Sequence, residues 1–252
     1  MAFDLAWVQS GLPNRPIHWR PAIDSTMTEA SRLATAGCQS GTIVGAEEQT
    51  AGQGRYGRTW YSEPGSGLYV SIVLRHRFAP STLPLVTLAL GLATSEAILK
   101  VTGLACDLRW PNDVLIESKK CAGILAQLES SAIIAGIGIN VNHSEFPEEL
   151  RDIATSLRLA TNHIHSREQL LVELAASVDR FCALLEKEGS EPILAMFSQA
   201  SSFVYGRRVF VEQGHSLLQG TTAGLNSSGF LILQADDGTK NVILAGGVRP
   251  CS

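Results

Sequence analysis

Between Gly52 and Trp60 the chain reads Gly-Gln-Gly-Arg-Tyr-Gly-Arg-Thr-Trp. Three glycines let a backbone bend sharply and lie close to a ligand. Arg55, between the second and third, and Arg58, just after the third, offer guanidinium forks to a phosphate. Such a loop can close over a nucleotide-like anion. Gly52, Gly54 and Gly57 also fit G-x-G-x-x-G, but the dinucleotide fingerprint needs a helix directly after it. Here Pro64, Gly65 and Gly67 follow and would break one, so no helix N-terminus is available for an anion. A Walker loop fails because no G-K-[ST] ends the run. The bland alternative is a flexible surface turn with scattered charge.

Four further segments carry usable chemistry. Ser25-Thr26 stands at a helix start, where the hydroxyls either meet a small polar head group or simply cap the helix. Arg109-Trp110-Pro111-Asn112-Asp113 puts a cation, an aromatic and two short polar side chains at a strand end; a type I turn is the plain reading. Lys119-Lys120-Cys121-Ala122-Gly123-Ile124-Leu125 places a lysine at the mouth of an apolar strand, as a point charge for a carboxylate or phosphate or as a solvated hairpin residue. In Gly136-Ile137-Gly138-Ile139-Asn140, glycines interrupt an apolar strand, which marks close approach of a ligand or tight packing under a helix.

The elements that must position these residues follow from pattern. A helix is expected after Asp24 or Ser25, with Glu29 near its start. Strands are expected at 42–49, 68–74, up to 110, and 133–141, with a hairpin of 114–117 and 121–129 turning at Ser118-Lys119-Lys120. A long apolar helix spans 81–102 and an amphipathic one 167–187. From Arg207 the chain turns to short strands at 209–211, 220–225, 230–234 and 242–245, separated by Asn226-Ser227-Ser228-Gly229 and Asp236-Asp237-Gly238. The expected fold class is therefore α+β, a mixed sheet flanked by helices over residues 1–203 and a small β-barrel over 204–252 that is too small to be robust alone.

The chain's 252 residues, 45% hydrophobic, support a proper core. A net charge of −4 with no basic stripe argues against a nucleic-acid binder. No signal peptide or membrane span is expected, which suggests a cytoplasmic protein. Five cysteines without a C-x-x-C suit a reducing compartment, and His163 and His165 read as loop residues rather than metal ligands.

Taken together, Gln49, the 52–60 loop, Arg109–Asp113, Lys120–Leu125 and Gly136–Asn140 resemble the biotin protein ligases, with the match running from Asp24 to Asn142 and the C-terminal barrel in agreement. The resemblance implies an α/β catalytic domain related to class II synthetases, an SH3-like C-terminal domain, and the catalytic-only type without an N-terminal DNA-binding domain. It implies two half-reactions, formation of biotinyl-5′-AMP from biotin and Mg-ATP, then transfer of biotin to a lysine of a biotin carboxyl carrier domain. Lys120, Arg55 and Asp113 would be catalytic. Biotin would meet Ser25, Thr26, Gln49, Gly52, Gln53, Lys120, Gly123, Gly136 and Gly138. ATP or the adenylate would meet Arg55, Arg58, Trp60, Arg109, Asn112 and Asn140. Asp113 would help bind Mg²⁺ or deprotonate the acceptor lysine. Gln53 stands where a further arginine is common, Met27 where a small polar residue is frequent, and Arg109 where lysine is often found. The 52–60 loop is expected to order over the intermediate and exclude water. The resemblance further implies no DNA or membrane partner and allows a homodimer. Lipoate or octanoate ligation, and a non-enzymatic biotin sensor, are the competing readings.

Overall fold

A computed structural model describes residues 3–75, 78–213 and 216–251. Its larger sheet is built from β1 (Ile17–Arg20), β2 (Ile43–Ala46), β3 (Gly67–Leu74), β4 (Asp107–Arg109), β5 (Asp113–Ile116), β6 (Lys119–Glu129) and β7 (Ala132–Asn140), in the order β1-β2-β3-β7-β6-β5-β4. Only β1–β2 is parallel, so the sheet is mixed, as the sequence suggested.

β3 lies near the centre and is buried at every position, because helices cover both faces there. On one face α2 (Thr26–Thr35) sets Met27, Ala30 and Ala34 against Val44, Val73 and Ile134. The other face carries the main core. There α3 (Leu83–Thr102) is buried on most of its circumference and packs against α5 (Arg167–Glu188) and α6 (Ser190–Gln199). Gly103, at φ 75°, closes α3 as a left-handed C-cap. Among the described residues, 80–102 is the one helical stretch whose length and composition would allow it to cross a membrane, but here it is the core helix. It is the long apolar helix expected over 81–102.

Several expectations need adjustment. The hairpin turn is Glu117-Ser118, both at positive φ (49° and 68°), so Lys119 and Lys120 belong to β6 and not to the turn. The helices α1 (Leu5–Gly11), α4 (Leu157–Thr161) and α6, and the edge strand β1, had no clear signal. β1 is short and α4 is a single turn, too brief for periodicity to register. α6 carries Pro192 in its first turn, where the missing N–H costs nothing.

The second sheet holds β8 (Tyr205–Gln213), β9 (Ser216–Leu225), β10 (Leu231–Gln234), β11 (Lys240–Ile243) and β12 (Gly247–Pro250), antiparallel in the order β11-β10-β9-β8-β12. β12 lies beyond the last strand expected from the sequence, 242–245. Pro250 is tolerated at the end of an edge strand. The Trp110 indole crosses to this sheet and donates to the Gly229 carbonyl at 2.9 Å.

Candidate active site

Strand register assembles the site. Successive side chains alternate faces, so Gly136 and Gly138 share one face of β7, and Gly123 sits directly opposite Gly138 on β6. Ser71 of β3 pairs with Gly136 and hydrogen-bonds to Thr26 at the start of α2, which identifies this as the α2 face. Three missing side chains there leave a slot flanked by Met27 and Leu125 and floored by the strands at Val70, Ile124 and Ile137.

One end of the slot is polar. Gln49 Oε1 accepts from the Thr26 backbone N–H (2.9 Å) and hydroxyl (3.0 Å), and its Nε2 donates to Ser62 (3.2 Å). Ser25 Oγ lies next to this network, 1% exposed, with no partner among the described residues. A buried hydroxyl left unpaired is costly and is an available partner for a polar head group.

Trp60 closes the slot. A Cβ at Gly138 would stand 2.5 Å from the indole, and one at Gly123 would stand 2.8 Å from it. The indole thus rests on the glycine floor with its Nε1 buried and unpartnered. Open volume in the slot is about 50 Å³, room for a few waters.

Lys120 stands where the slot meets a second, larger cavity of about 870 Å³. Its placement depends on a β-bulge. Val114 pairs with Ala122 but Leu115 pairs with Lys120, so Cys121 is an extra residue in β6. Strict alternation would send Lys120 to the face of Ala122 and Ile124, into the apolar core. The bulge re-aims it. Its ammonium lies 2.5 Å from Asp113 Oδ1 and 5.3 Å from the Trp60 ring centre. Arg109 takes the other carboxylate oxygen, Oδ2, at 2.7 Å. Burial raises the pKa of Asp113, but Lys120 and Arg109 together outweigh it and hold the carboxyl below its ordinary value.

Both Asp113 oxygens face cations, Oδ1 toward Lys120 and Oδ2 toward Arg109, and in this arrangement the carboxylate orients Lys120.

The large cavity is lined by Arg55, Arg58, Trp60, Arg109, Asn112, Asp113, Lys120 and Asn140, and beyond them by Phe146, Ile153 and the C-terminal residues Glu212, Gly246 and Arg249. Arg55 Nη1 donates to Asn112 Oδ1 (3.1 Å), while Asn112 Nδ2 donates to the Ile124 carbonyl (3.0 Å). Asn140 reaches the cavity, but its amide donates to the carbonyls of Thr155 (3.0 Å) and Lys120 (3.4 Å), pinning the 153–155 segment beside Lys120.

The 52–60 loop is a tight flap. Gly54 N–H donates to the Arg58 carbonyl (2.7 Å) and Trp60 N–H to the Gly52 carbonyl (2.9 Å). Gly52 does not line the slot, and a Cβ there would meet the Trp60 carbonyl at 2.9 Å. Gln53 lines the slot and ties the flap to α2 through Thr28 (3.2 Å). The expected site residues therefore converge, with Ser25 and Gly52 just behind the lining. Sequence reasoning did not single out Tyr56 or the β12 side of the cavity. Tyr56 had no signal beyond its position between the two arginines.

These features find counterparts among known proteins. Residues 19–144 match the model of the biotin/lipoate A/B protein ligase family. Over 90% of this chain and 72% of its own length, the bifunctional ligase/repressor BirA of Bacillus subtilis is 31% identical. The chain belongs to the biotin/lipoate A/B protein ligase family. Within it, the similarity is to the biotin ligases. The biotin–[acetyl-CoA-carboxylase] ligase of Mycobacterium tuberculosis is 32% identical over 86% of this chain and 81% of its own. The biotin protein ligase of Aquifex aeolicus, solved with biotin and ATP, superposes with a TM-score of 0.83 at 30% identity, covering 94% of this chain and 99% of that one.

Proposed function

We propose that this chain is an ATP-dependent biotin–protein ligase, with biotin in the glycine-floored slot and ATP in the adjoining cationic cavity. The observation that carries the reading is the position of Lys120, at the junction of slot and cavity beside Arg55, Trp60 and Asn112. Biotin is an apolar bicycle with a polar ureido edge and a carboxylate tail. Ser25, Thr26 and Gln49 match the ureido edge, and the glycine backbone admits the ring. The carboxylate then reaches Lys120. Trp60 is the piece that moves to make room.

A carboxylate oxygen attacks the α-phosphorus of ATP, taken up as its magnesium complex, and pyrophosphate leaves. Two anions must approach each other, so positioned positive charge supplies most of the assistance. Lys120, Arg55 and Arg109 surround the meeting point, and Arg58 sits at the rim. The amine of an acceptor lysine next attacks the acyl carbon, AMP departs as leaving group and the ammonium loses its proton. Closure of the 52–60 flap keeps water from the acyl-adenylate between the two steps.

The acceptor is a biotin carboxyl carrier domain, in keeping with the acetyl-CoA-carboxylase ligase relatives. Residues 1–203 form the catalytic unit, and 204–252 form the SH3-like unit that completes the cavity wall. The acidic charge balance disfavours a DNA partner, and a homodimer acting in the cytoplasm completes the reading. The polar end at Thr26 and Gln49 suits the ureido edge of biotin better than the apolar terminus of a lipoyl or octanoyl chain. Biotin-dependent exchange of labelled pyrophosphate into ATP tests the reading. Exchange with lipoate in place of biotin would instead identify a lipoate ligase, and exchange with neither would leave a binding protein.

A further inference from the structure

The reaction as derived employs Arg55 and Arg58 but gives no task to Tyr56, the residue next to Arg55 in the flap. Tyr56 has φ 59°. A bulky residue in the left-handed region is strained, and such strain persists only where the surroundings impose it. Its side chain is 62% exposed, so burial does not hold it in place. Its hydroxyl does. The phenolic oxygen accepts from the Gly246 N–H at 2.6 Å and from Arg55 Nη2 at 3.0 Å. The Arg55 guanidinium also lies 4.9 Å from the Tyr56 ring centre.

The partner on the other side is constrained to glycine. Gly246 has φ 135°, and a Cβ there would stand 2.6 Å from the Glu212 carbonyl, so only glycine can present its N–H in this direction. Three residues further along the loop from Arg55, Arg58 is 3.8 Å from the Glu212 carboxylate, which also faces Arg249 at 3.6 Å. Arg55 is thereby held between two acceptors, Asn112 of the catalytic sheet and Tyr56, itself fastened to the C-terminal sheet.

We propose that Tyr56 is a positioning residue whose hydroxyl clamps the flap to the C-terminal sheet and fixes Arg55 over the cavity, so that the C-terminal sheet, acting through Gly246, governs how long the acyl-adenylate is retained. This rests on the ligase reading above. The two sheets meet at a contact 190 residues apart in sequence. A flap held from both sides opens less often than one hinged on the catalytic sheet alone. Loss of the clamp therefore acts on release of the intermediate and on nucleotide affinity, and leaves the biotin slot alone.

The test compares full-length wild type with Tyr56→Phe, Tyr56→Ala and Gly246→Ala. Tyr56→Phe keeps the ring and its contact with Arg55 and removes only the hydroxyl. It is expected to release preformed biotinyl-adenylate about tenfold faster in the absence of acceptor and to raise KM for ATP, with KM for biotin changed by less than about twofold, the size expected for a lost hydrogen bond to a charged group. Tyr56→Phe and Gly246→Ala should not add in the double variant, because both cut one link. Tyr56→Phe indistinguishable from wild type, or fully additive effects, would overturn the proposal. Amide exchange at Gly246 and Gly247 reads the clamp without any chemistry. It should accelerate severalfold in Tyr56→Phe at an unchanged Tm, and unchanged exchange would overturn the clamp even if the ligase reading failed. Absence of biotin-dependent adenylate in the wild type bears on that reading alone.

Discussion

Lys120 Nζ and Asp113 Oδ1 stand 2.5 Å apart across two strands whose register breaks at the next residue, Cys121. The bulge turns the lysine out of the core, and the carboxylate fixes where it points. Arg109 on the other oxygen keeps that carboxylate ionised. A flexible amine thus becomes a placed charge before any substrate arrives, and preorganisation of this kind is what electrostatic catalysis requires.

Lys120→Ala should lower adenylate formation by at least about 100-fold, the range for loss of one strong electrostatic donor. Pyrophosphate exchange measures this directly. Normal exchange in that variant would remove Lys120 from the mechanism.

Asp113→Asn removes the shared anion and leaves two cations facing each other. Breaking a buried ion pair from one side costs about 3–5 kcal/mol, and the side chain's partial exposure (17%) places the expected loss toward the low end. Urea unfolding should show it. Because the folded pKa is depressed, the stabilisation by Asp113 is complete above the unfolded carboxylate pKa and fades as pH falls through the folded value. The gap between wild type and variant should therefore narrow only in acid.

Gly138→Ala places a methyl where the Trp60 indole now lies, 2.5 Å away at its nearest atom. The indole must withdraw and the slot floor rises. Biotin affinity should fall by more than tenfold, about 1.4 kcal/mol, while ATP binding stays near wild type. Calorimetric titration of each ligand separates the two, and a parallel loss of both would mean a general disruption of the sheet.

His143 is fully buried, and burial pushes its pKa down to about 4, with Glu63 opposing weakly. Tyr69 donates its hydroxyl proton to the Glu63 carbonyl (3.0 Å), so its oxygen receives the His143 Nε2 proton (3.2 Å), and Nδ1 is left without a partner. A second proton on the ring would be buried beside Phe146 with nothing to accept it. The unfolded chain takes up that proton near pH 6.5 and the folded one near 4, so stability falls as pH drops through this window, by about 3 kcal/mol in total. In His143→Gln the loss between pH 6.5 and 4 should be clearly smaller. An identical pH profile of Tm would show that His143 is not the responsible group.

Trp110→Phe deletes the indole N–H that holds Gly229 and leaves that carbonyl unsatisfied at the junction of the two sheets. A loss of about 1–2 kcal/mol is expected. Chemical unfolding followed by both intrinsic fluorescence and far-UV dichroism would report it.

The chemistry of this protein is legible in residue types and short spacings. The glycines of the flap, the arginines beside them, the two strand glycines and the polar pair at a helix start each state a local requirement: close approach, charge, or a small polar partner. Local requirements are written in local sequence, so the slot, its cationic neighbour and most long elements could be read directly. What remained hidden depends on residues far apart in the chain. No propensity announces that Cys121 is the extra residue in its strand, yet that insertion decides whether Lys120 faces a ligand or the core. The pairing of Asp113 with both Lys120 and Arg109 depends on the register of two strands and shows in no local pattern. Tyr56 became meaningful only when packing of the second sheet brought Gly246 to its hydroxyl. Composition and spacing determined the reactive groups. Register, bulge and domain packing decided where each one points and what holds it there, because those are set by the free energy of the whole core and not by any one segment.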